Sequence, residues 1–476
     1  MFYKELREYM QVLEKKGLLK RIKKEVDKNW EITAICRVAF KKITSDKRPA
    51  LLFENVKGYD VPVLVGSLGA SREVYATALS MDSKNLLSNI ANKWSDALQN
   101  PINPKIVESG PCKENIITGK DIDILELLPV PIWTVGEDPS PYLTSPCDIT
   151  RDPETKIQNV GTYRVEIKDK AKTGIYYGET RHIARHVRAN EKKNQPTPIA
   201  IVIGTDPTIG LASVSSIPYG VGELGVAGGL RKKAIDVVKC ESSDLLVPAN
   251  AEVVIEGEIP PHYRENEGPF GEYTGYMGPP GDQPIVNVKC ITYRNNPIYH
   301  AFLSQMPPSE SSLIKSIGRE SNIYSHLKKA HRMPIRDVHL TEASGAAGYL
   351  AISLDVQYPG QVWEAMWVAW TLDPSFGKFT VVVNDDIDVR DAFALEWALS
   401  FRVRPHEDLH ILRKTAAVHL DPATAPACIP QHDHSRHMLS KIAIDATRSH
   451  EYPHIALPPK EHLQKVECKW NEYWGE

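Results

Sequence analysis

The spacing of apolar and polar residues divides the chain into segments of different character. Near the start, Leu6, Met10 and Leu13 recur at helical spacing, and Gly17 stands where a helix would end. Short apolar runs at residues 51–54 and 62–66 are typical of strands. With a further helical pattern nearby, these runs predict an N-terminal α/β domain.

The middle of the chain has a strand-like pattern. Segments 197–204, 252–256 and 284–293 are rich in Val and Ile and are separated by Gly and Pro. In the last of them, Val286 and Val288 alternate with polar neighbours, which is the period of a half-buried strand. Several strands with little helix between them predict a β-barrel or a β-sandwich.

The last third of the chain returns to alternating elements. Apolar residues around Met366 follow a helical period, residues 379–383 form a compact apolar run, and residues 391–400 again have a helical pattern. This alternation predicts a second α/β domain. The polar and aromatic tail after residue 450 is interpreted as a docking arm.

Composition limits the possible functions of the chain more than it limits the possible folds. The net charge of -3 gives no large field for nucleic acid or a membrane, so a small-molecule ligand is expected. No apolar run approaches the ~18 residues of a membrane span, and the start of the chain lacks a signal-peptide pattern. The 7 cysteines form no C-x-x-C pair. A cytoplasmic protein without disulfides is expected.

Two glutamates are the first candidates for chemistry. Glu267 and Glu272 flank a loop containing Gly268, Pro269 and Gly271, which favours a turn over a helix. Two desolvated carboxylates held close together acquire separated pKa values, so one of them can carry a proton near neutral pH. A surface turn with two solvated glutamates explains the same spacing, and both interpretations stay open.

A second set of polar residues lies earlier in the chain. Asn159, His182 and Glu223 offer an amide oxygen, an imidazole and a carboxylate, a mixed ligand set suited to Mn²⁺ or Mg²⁺ next to a phosphate. Each residue also has a simpler explanation: Asn159 in a turn, His182 in the core and Glu223 as a helix cap.

In their order and intervals, the segments that carry these residues resemble the UbiD family of decarboxylases. The resemblance also rests on Leu6-Arg7-Glu8, on residues 248–257, and on Asp385-Asp386-Ile387-Asp388 followed by Trp397-Ala398-Leu399. It extends from about residue 4 to residue 447. The implied fold is mixed α/β, with these expected divisions: an N-terminal α/β domain (1–112), a split β-barrel that binds prenylated FMN (113–312), a C-terminal α/β oligomerisation domain (313–450) and a docking tail (451–476).

The resemblance implies roles for individual residues. The family's Glu–Arg–Glu network corresponds to Glu267, Arg164 and Glu272. Its divalent metal ligands correspond to Asn159, His182 and Glu223, and its potassium loop to Ala212, Ser213 and Ser215. Further contacts to prenylated FMN are expected from Thr162, Tyr163, Arg164, Arg181, Pro218 and Lys378.

The implied activity is a non-oxidative, reversible decarboxylation of an aromatic, heteroaromatic or α,β-unsaturated acid, with Glu272 as the proton donor. A non-catalytic or carboxylating subunit of a larger complex and a metal-dependent hydrolase are the alternatives. Expected partners are the acid and CO2, a flavin prenyltransferase that supplies the cofactor, and further copies of the chain as a dimer or hexamer. The His-rich segment 431–437 is interpreted as a pocket wall or an exposed loop.

Overall fold

A computed structural model describes residues 2–416, 418, 420–424 and 438–475. Its helices are α1 (Leu6–Lys15), α2 (Glu31–Lys42), α3 (Arg72–Ala78), α4 (Leu86–Gln99), α5 (Ile124–Leu127), α6 (His182–Glu191), α7 (Pro207–Ser213), α8 (Glu223–Arg231), α9 (Glu310–Ser325), α10 (Gln361–Leu372), α11 (Ala392–Arg402), α12 (Pro405–Asp408), α13 (Lys460–Glu467) and α14 (Trp470–Trp474).

The strands form one N-terminal sheet, one large central sheet, one C-terminal sheet and two small ones. They are β1 (Leu19–Ile22), β2 (Ala50–Phe53), β3 (Val63–Val65), β4 (Lys105–Ile106), β5 (Asn115–Thr118), β6 (Tyr142–Leu143), β7 (Cys147–Arg151), β8 (Gln158–Gly161), β9 (Arg164–Asp169), β10 (Lys172–Tyr176), β11 (Thr197–Ile203), β12 (Asp236–Lys239), β13 (Leu246–Pro248), β14 (Val253–Ile259), β15 (Arg264–Glu267), β16 (Phe270–Gly271), β17 (Met277–Gly278), β18 (Gly281–Tyr293), β19 (Tyr299–Ala301), β20 (Ile335–Leu340), β21 (Tyr349–Leu354), β22 (Phe379–Asn384), β23 (Leu409–Ala416) and β24 (Met438–Ala446).

The N-terminal region confirms the predicted alternation. Helix α1 buries the apolar stripe that includes Leu6, Met10 and Leu13, and the chain turns away at Gly17, whose φ of +71° favours glycine. The sheet has the order β1-β2-β3-β19, so a strand from much later in the chain completes it.

The central sheet carries the predicted strands. Its order is β6-β9-β10-β18-β14-β11-β7-β8, and β5 and β15 also pair with β18. Strand β18 is long enough, at 13 residues, to serve these several partners along its length. Among the described strands β6 and β8 do not pair with each other, so the sheet is split and not a closed barrel. The predicted mixed α/β class is confirmed.

The C-terminal region is an α/β layer around a sheet of order β20-β21-β22-β24-β23. The apolar run predicted as a strand is β22, buried at Val381, Val382 and Val383, and helices α10 and α11 contribute to two separate apolar clusters. The last residues form α13 and α14, whose side chains are exposed. Their docking role stays a prediction.

The three regions are not equally separate. One apolar cluster runs through the N-terminal and central regions, whereas the C-terminal region has clusters of its own. The division at residues 112 and 312 therefore stays a prediction. The six cysteines that the structure describes are unpaired, and no helix in the described part of the chain is long and apolar enough to cross a bilayer. The His-rich segment 431–437 lies outside the described residues.

Candidate active site

The two candidate glutamates lie on opposite sides of a tight turn. Glu267 ends β15 and Glu272 directly follows β16. Gly268 between them has a φ of +83°, a backbone conformation that side chains with a Cβ rarely adopt. At Gly271, an added Cβ would lie 2.7 Å from the side chain of Gln305. The glycines therefore shape a turn that presents both carboxylates to one side.

Arg164, the first residue of β9, joins the two glutamates. Its Nε and Nη2 donate to the two carboxylate oxygens of Glu267, both at 2.8 Å, and its Nη1 donates to Glu272 at 2.6 Å. Glu267 is 1% exposed, so it is a buried group and not a solvated surface residue. The interpretation of this segment as a surface turn is wrong, because the arginine holds both acids inside the protein.

Aromatic rings fix the arginine in place. Tyr176 lies directly opposite Arg164 in the β9–β10 register, and its ring centroid is 4.1 Å from the guanidinium carbon; the ring of Phe270 lies at 5.1 Å. Burial opposes the charge of Arg164, but the hydrogen bonds that it donates to Glu267 and the charge of Glu272 outweigh burial and raise the arginine pKa. The guanidinium is therefore a permanent cation in this site.

Glu272 is the group that can hold a proton. Burial raises the pKa of its carboxyl, and the nearby charges of Arg164 and Lys315 only partly offset that shift. Its side chain is 18% exposed, so a proton can reach it from outside. A carboxyl group with a raised pKa beside a fixed ion pair is an arrangement for general acid–base chemistry.

The predicted metal ligands also come together. Asn159 lies on β8, and His182 and Glu223 are the first residues of α6 and α8. The His182 Nδ1 atom lies 3.0 Å from the Asn159 amide oxygen and 3.8 Å from a Glu223 carboxylate oxygen. The Glu223 carboxylate also accepts the backbone N–H of Val160 at 2.8 Å. The three side chains line one small cavity.

The Glu223 carboxylate has no charged partner in direct contact among the described residues. Burial raises the pKa of Glu223 to about 7, and burial together with Arg185 and Arg181 lowers the pKa of His182, so the imidazole tends to be neutral. The amide nitrogen of Asn159 is buried without a hydrogen-bond partner. Oxygen and nitrogen donors around a desolvated carboxylate suit a divalent cation, so the residues fit the expected metal.

The loop predicted to bind potassium is the end of α7. The Ser213 hydroxyl pairs with the Thr162 hydroxyl at 2.7 Å, and the Ser213 carbonyl accepts the Thr162 backbone N–H at 3.1 Å. The Ser215 backbone N–H donates to the Ala212 carbonyl at 3.1 Å. Carbonyl oxygens at a helix end keep a second lone pair that can bind a cation. The potassium assignment stays a prediction.

The remaining predicted contacts are spread around this cluster. The Tyr163 backbone N–H donates to the buried Asp148, Pro218 begins the turn that leads to Gly222, and Arg181 is an exposed residue next to His182. Lys378 lies elsewhere, in an ion pair of 2.9 Å with Asp421. Its contact with a cofactor stays a prediction.

Comparison with known proteins identifies the family. Models of 3-octaprenyl-4-hydroxybenzoate carboxy-lyase (UbiD) match the chain in three parts: the N-terminal domain at residues 10–94, the Rift-related domain at residues 105–307 and the C-terminal domain at residues 312–446. The chain belongs to the UbiD family. It is accordingly a carboxy-lyase, as the resemblance predicts.

Solved UbiD-class structures are similar over almost the whole chain. The enzyme HmfF of Pelotomaculum thermopropionicum, in complex with FMN, is 34% identical with a TM-score of 0.86 and covers 97% of this chain and 99% of its own. An evolved dimeric form of HmfF with prFMN is 34% identical, with a TM-score of 0.82 and coverage of 96% and 98%. Vanillic acid decarboxylase of Sedimentibacter hydroxybenzoicus, in its open form, is 30% identical, with a TM-score of 0.84 and coverage of 100% of both chains.

Sequence reasoning missed part of this UbiD site. Lys315 on α9 lies with its ammonium nitrogen 4.1 Å from the ring centroid of Tyr273, the residue after Glu272. Gln305 packs against the turn between the two glutamates at Gly271. The sequence gives little indication of Lys315. It is a single lysine in a helix, and its neighbours Ile314 and Ser316 are buried in the structure.

Proposed function

We propose that the chain catalyses the non-oxidative, reversible decarboxylation of an aromatic, heteroaromatic or α,β-unsaturated carboxylic acid. The observation that carries the proposal is the arginine that joins a buried glutamate to a second glutamate with a raised pKa. A proton donor is what this reaction requires, because the carbon that loses CO2 must gain a proton.

The proposed cofactor is prenylated FMN, held through a divalent cation. Asn159, His182 and Glu223 would bind Mn²⁺ or Mg²⁺, and the carbonyls of Ala212, Ser213 and Ser215 would bind K⁺. Thr162, Tyr163, Arg181, Pro218 and Lys378 are the further proposed contacts. When bound, prenylated FMN supplies the electron sink for the pair of the breaking C–C bond. HmfF, the similar enzyme described above, forms complexes with FMN and prFMN.

The residues of the chain have separate tasks in this reaction. Arg164 holds Glu267 as a carboxylate through two parallel hydrogen bonds and fixes the position of Glu272 through the third. Glu272 gives its proton to the carbon that has lost CO2 and regains one from solvent. In the carboxylation direction the same carboxylate removes that proton, so the site is reversible by microscopic reversibility.

The proposal includes two kinds of protein partner. A flavin prenyltransferase would supply the cofactor. The chain would also form a homo-oligomer, a dimer or a hexamer, through the C-terminal region, where Trp367, Phe393 and Phe401 are 60%, 78% and 70% exposed. Large exposed apolar side chains that lie together are typical of protein–protein contacts.

The test is isotope exchange with a matched pair of variants. The chain is co-expressed with a flavin prenyltransferase, the cofactor is confirmed by mass, and a panel of acids is screened for deuterium at the carboxyl-bearing carbon. Glu272→Gln should keep metal and cofactor but lose exchange by ~10²–10⁴-fold, the usual contribution of a general acid. Glu265→Gln changes a nearby glutamate that pairs with Lys172 and should leave exchange unchanged.

Two results would contradict this assignment. Normal exchange in Glu272→Gln would remove Glu272 from the mechanism. Unchanged flavin content in His182→Ala would count against the metal site, because that variant should lose the cofactor.

A further inference from the structure

The charges of Arg164 and Lys315 act on Glu272, and that of Arg319 acts on Lys315. Of these three cations, Lys315 lacks an acidic partner within ion-pair distance in the described part of the chain. Arg164 is paired with both glutamates. Arg319 donates to the Ala346 carbonyl at 2.7 Å and lies 3.7 Å from Asp373. Among the residues that the structure describes, no carboxylate lies within the 4.0 Å ion-pair distance of the Lys315 ammonium nitrogen.

The position of Lys315 is nonetheless defined. It projects from α9 onto the ring of Tyr273 with the nitrogen 4.1 Å from the centroid, and a cation over an aromatic face is held by electrostatic attraction. Its neighbours Ile314 and Ser316 are buried, whereas Lys315 is open to solvent. The ammonium group is therefore fixed beside the proton donor and still accessible to a ligand.

Charge balance indicates the charge of the ligand that would bind at Lys315. When Glu272 carries its proton, Arg164 and Glu267 neutralise each other, and Lys315 remains an unmatched cation. Arg181, an exposed residue whose charge also acts on Lys315, adds to the positive potential. An anion is the complementary group.

The reacting carboxylate is a poor occupant for this position. A cation bound to it would stabilise the charge that disappears as CO2 leaves, so it would favour the ground state over the transition state. A second carboxylate keeps its charge throughout the reaction. Its binding to a fixed cation lowers KM without opposing the loss of CO2.

We propose that Lys315 binds a second, non-reacting carboxylate, so that the preferred substrates are aromatic or unsaturated dicarboxylic acids. This inference rests on the proposed function for the chemistry and adds the substrate class. Lys315 acts as a specificity-determining residue, while Glu272 remains the proton donor.

The test uses probes that differ by one charge. The benzene-1,2-, 1,3- and 1,4-dicarboxylates are compared with their monomethyl esters, by calorimetric binding to the full-length flavin-free chain and by KM for isotope exchange in the holoenzyme. At least one di-acid should bind about tenfold or more tightly than its monoester, as expected for a charged hydrogen bond. Lys315→Met should remove that advantage, raise KM for the di-acid and leave kcat nearly unchanged.

Two further variants complete the test. Lys315→Arg should restore the preference for the di-acid, and Lys289→Met, which removes a surface lysine paired with Glu258, should have no effect. The inference is overturned if no di-acid binds more tightly than its monoester, or if Lys315→Met weakens both to the same extent.

Failure of this inference and failure of the proposed function give different results. Exchange with monocarboxylic acids but no preference for di-acids would overturn the role of Lys315 and leave the decarboxylase in place. A preference for di-acids in binding, without exchange of any acid by the holoenzyme, would do the opposite.

Discussion

Glu267 and Glu223 are both buried carboxylates in the same region of the protein, but their charges are met in different ways. Glu267 is 1% exposed and receives two hydrogen bonds from a permanent cation, Arg164. Glu223 is 4% exposed, accepts a backbone N–H at 2.8 Å and lies 3.8 Å from an imidazole, with no arginine or lysine paired to it among the described residues. Burial raises the pKa of Glu223 to about 7.

The Glu267 network therefore has all its charged partners within the chain, whereas the Glu223 cluster needs a bound ligand to balance its charge. The Glu267 network has its cation built into the chain, so its geometry is set by folding alone. The Glu223 cluster has oxygen and nitrogen donors around an unmatched carboxylate, which a divalent cation would neutralise. The first site is therefore expected to depend on its arginine, and the second on added metal.

The largest expected effect comes from removing the built-in cation. Arg164→Leu leaves the buried Glu267 and the partly buried Glu272 without their cation, and breaking a buried pair in this way costs ~3–5 kcal/mol. The flavin-free protein should lose that amount of unfolding free energy in urea titrations. The matched control is Arg404→Leu, which removes a surface pair with Asp408 and should change the unfolding free energy far less.

A loss below about 1 kcal/mol in Arg164→Leu would contradict the first half of the comparison, since an exposed pair costs no more than that. It would mean that Glu267 and Glu272 accept protons or water in place of the arginine without strain. The network would then be a functional arrangement only, and not part of what holds the central region together.

The second expected effect concerns metal. Mn²⁺ at a concentration 100 times its Kd should stabilise the flavin-free chain by about 2.7 kcal/mol, because it binds the folded state only. Glu223→Gln should remove most of this gain. Glu267→Gln, which changes the other buried glutamate, should keep it. Thermal unfolding with and without Mn²⁺ measures both, and an equal gain in Glu223→Gln would exclude Glu223 as a ligand.

Local patterns explain which parts of this picture were predictable from the sequence. Helix α1 follows from apolar spacing because it buries one regular face, and strand β22 follows from a continuous apolar run because it is buried on both faces. The turn at Gly268 could be read from its glycines and proline. Spacing could not decide whether Glu267 is solvated, because its partner Arg164 is 103 residues away and only the fold brings them together.

The proposed metal ligands and Lys315 show two further limits of sequence analysis. The approach of Asn159 to His182 and Glu223 depends on β8 and the starts of α6 and α8, so it was predictable only through the family resemblance. Lys315 belongs to no motif, and its importance comes from the contact between α9 and Tyr273. Contacts between distant elements leave no local pattern in the sequence.

The smallest expected effect is a pH dependence of di-acid binding at Lys315, a cation that has no acidic partner among the described residues, in contrast to Arg164. Partial loss of water around the ammonium group, together with the charges of Arg319 and Arg181, lowers the pKa of Lys315 to about 8, and the charge of Glu272 opposes this shift. A carboxylate ligand needs the protonated ammonium, so binding is full below this pKa and is lost as the pH rises through it. At pH 9, a di-acid should bind about tenfold more weakly than at pH 7, or ~1.4 kcal/mol less favourably.

Calorimetry at both pH values, with a di-acid that the flavin-free chain binds, measures this effect. Lys315→Arg should abolish the pH dependence, because a guanidinium keeps its charge throughout this range. The monomethyl ester provides the control, since it retains one carboxylate and lacks the group assigned to Lys315. If the ester weakens between pH 7 and pH 9 as much as the di-acid does, the titrating group acts on the reacting carboxylate, and the unmatched cation at Lys315 does not select the substrate.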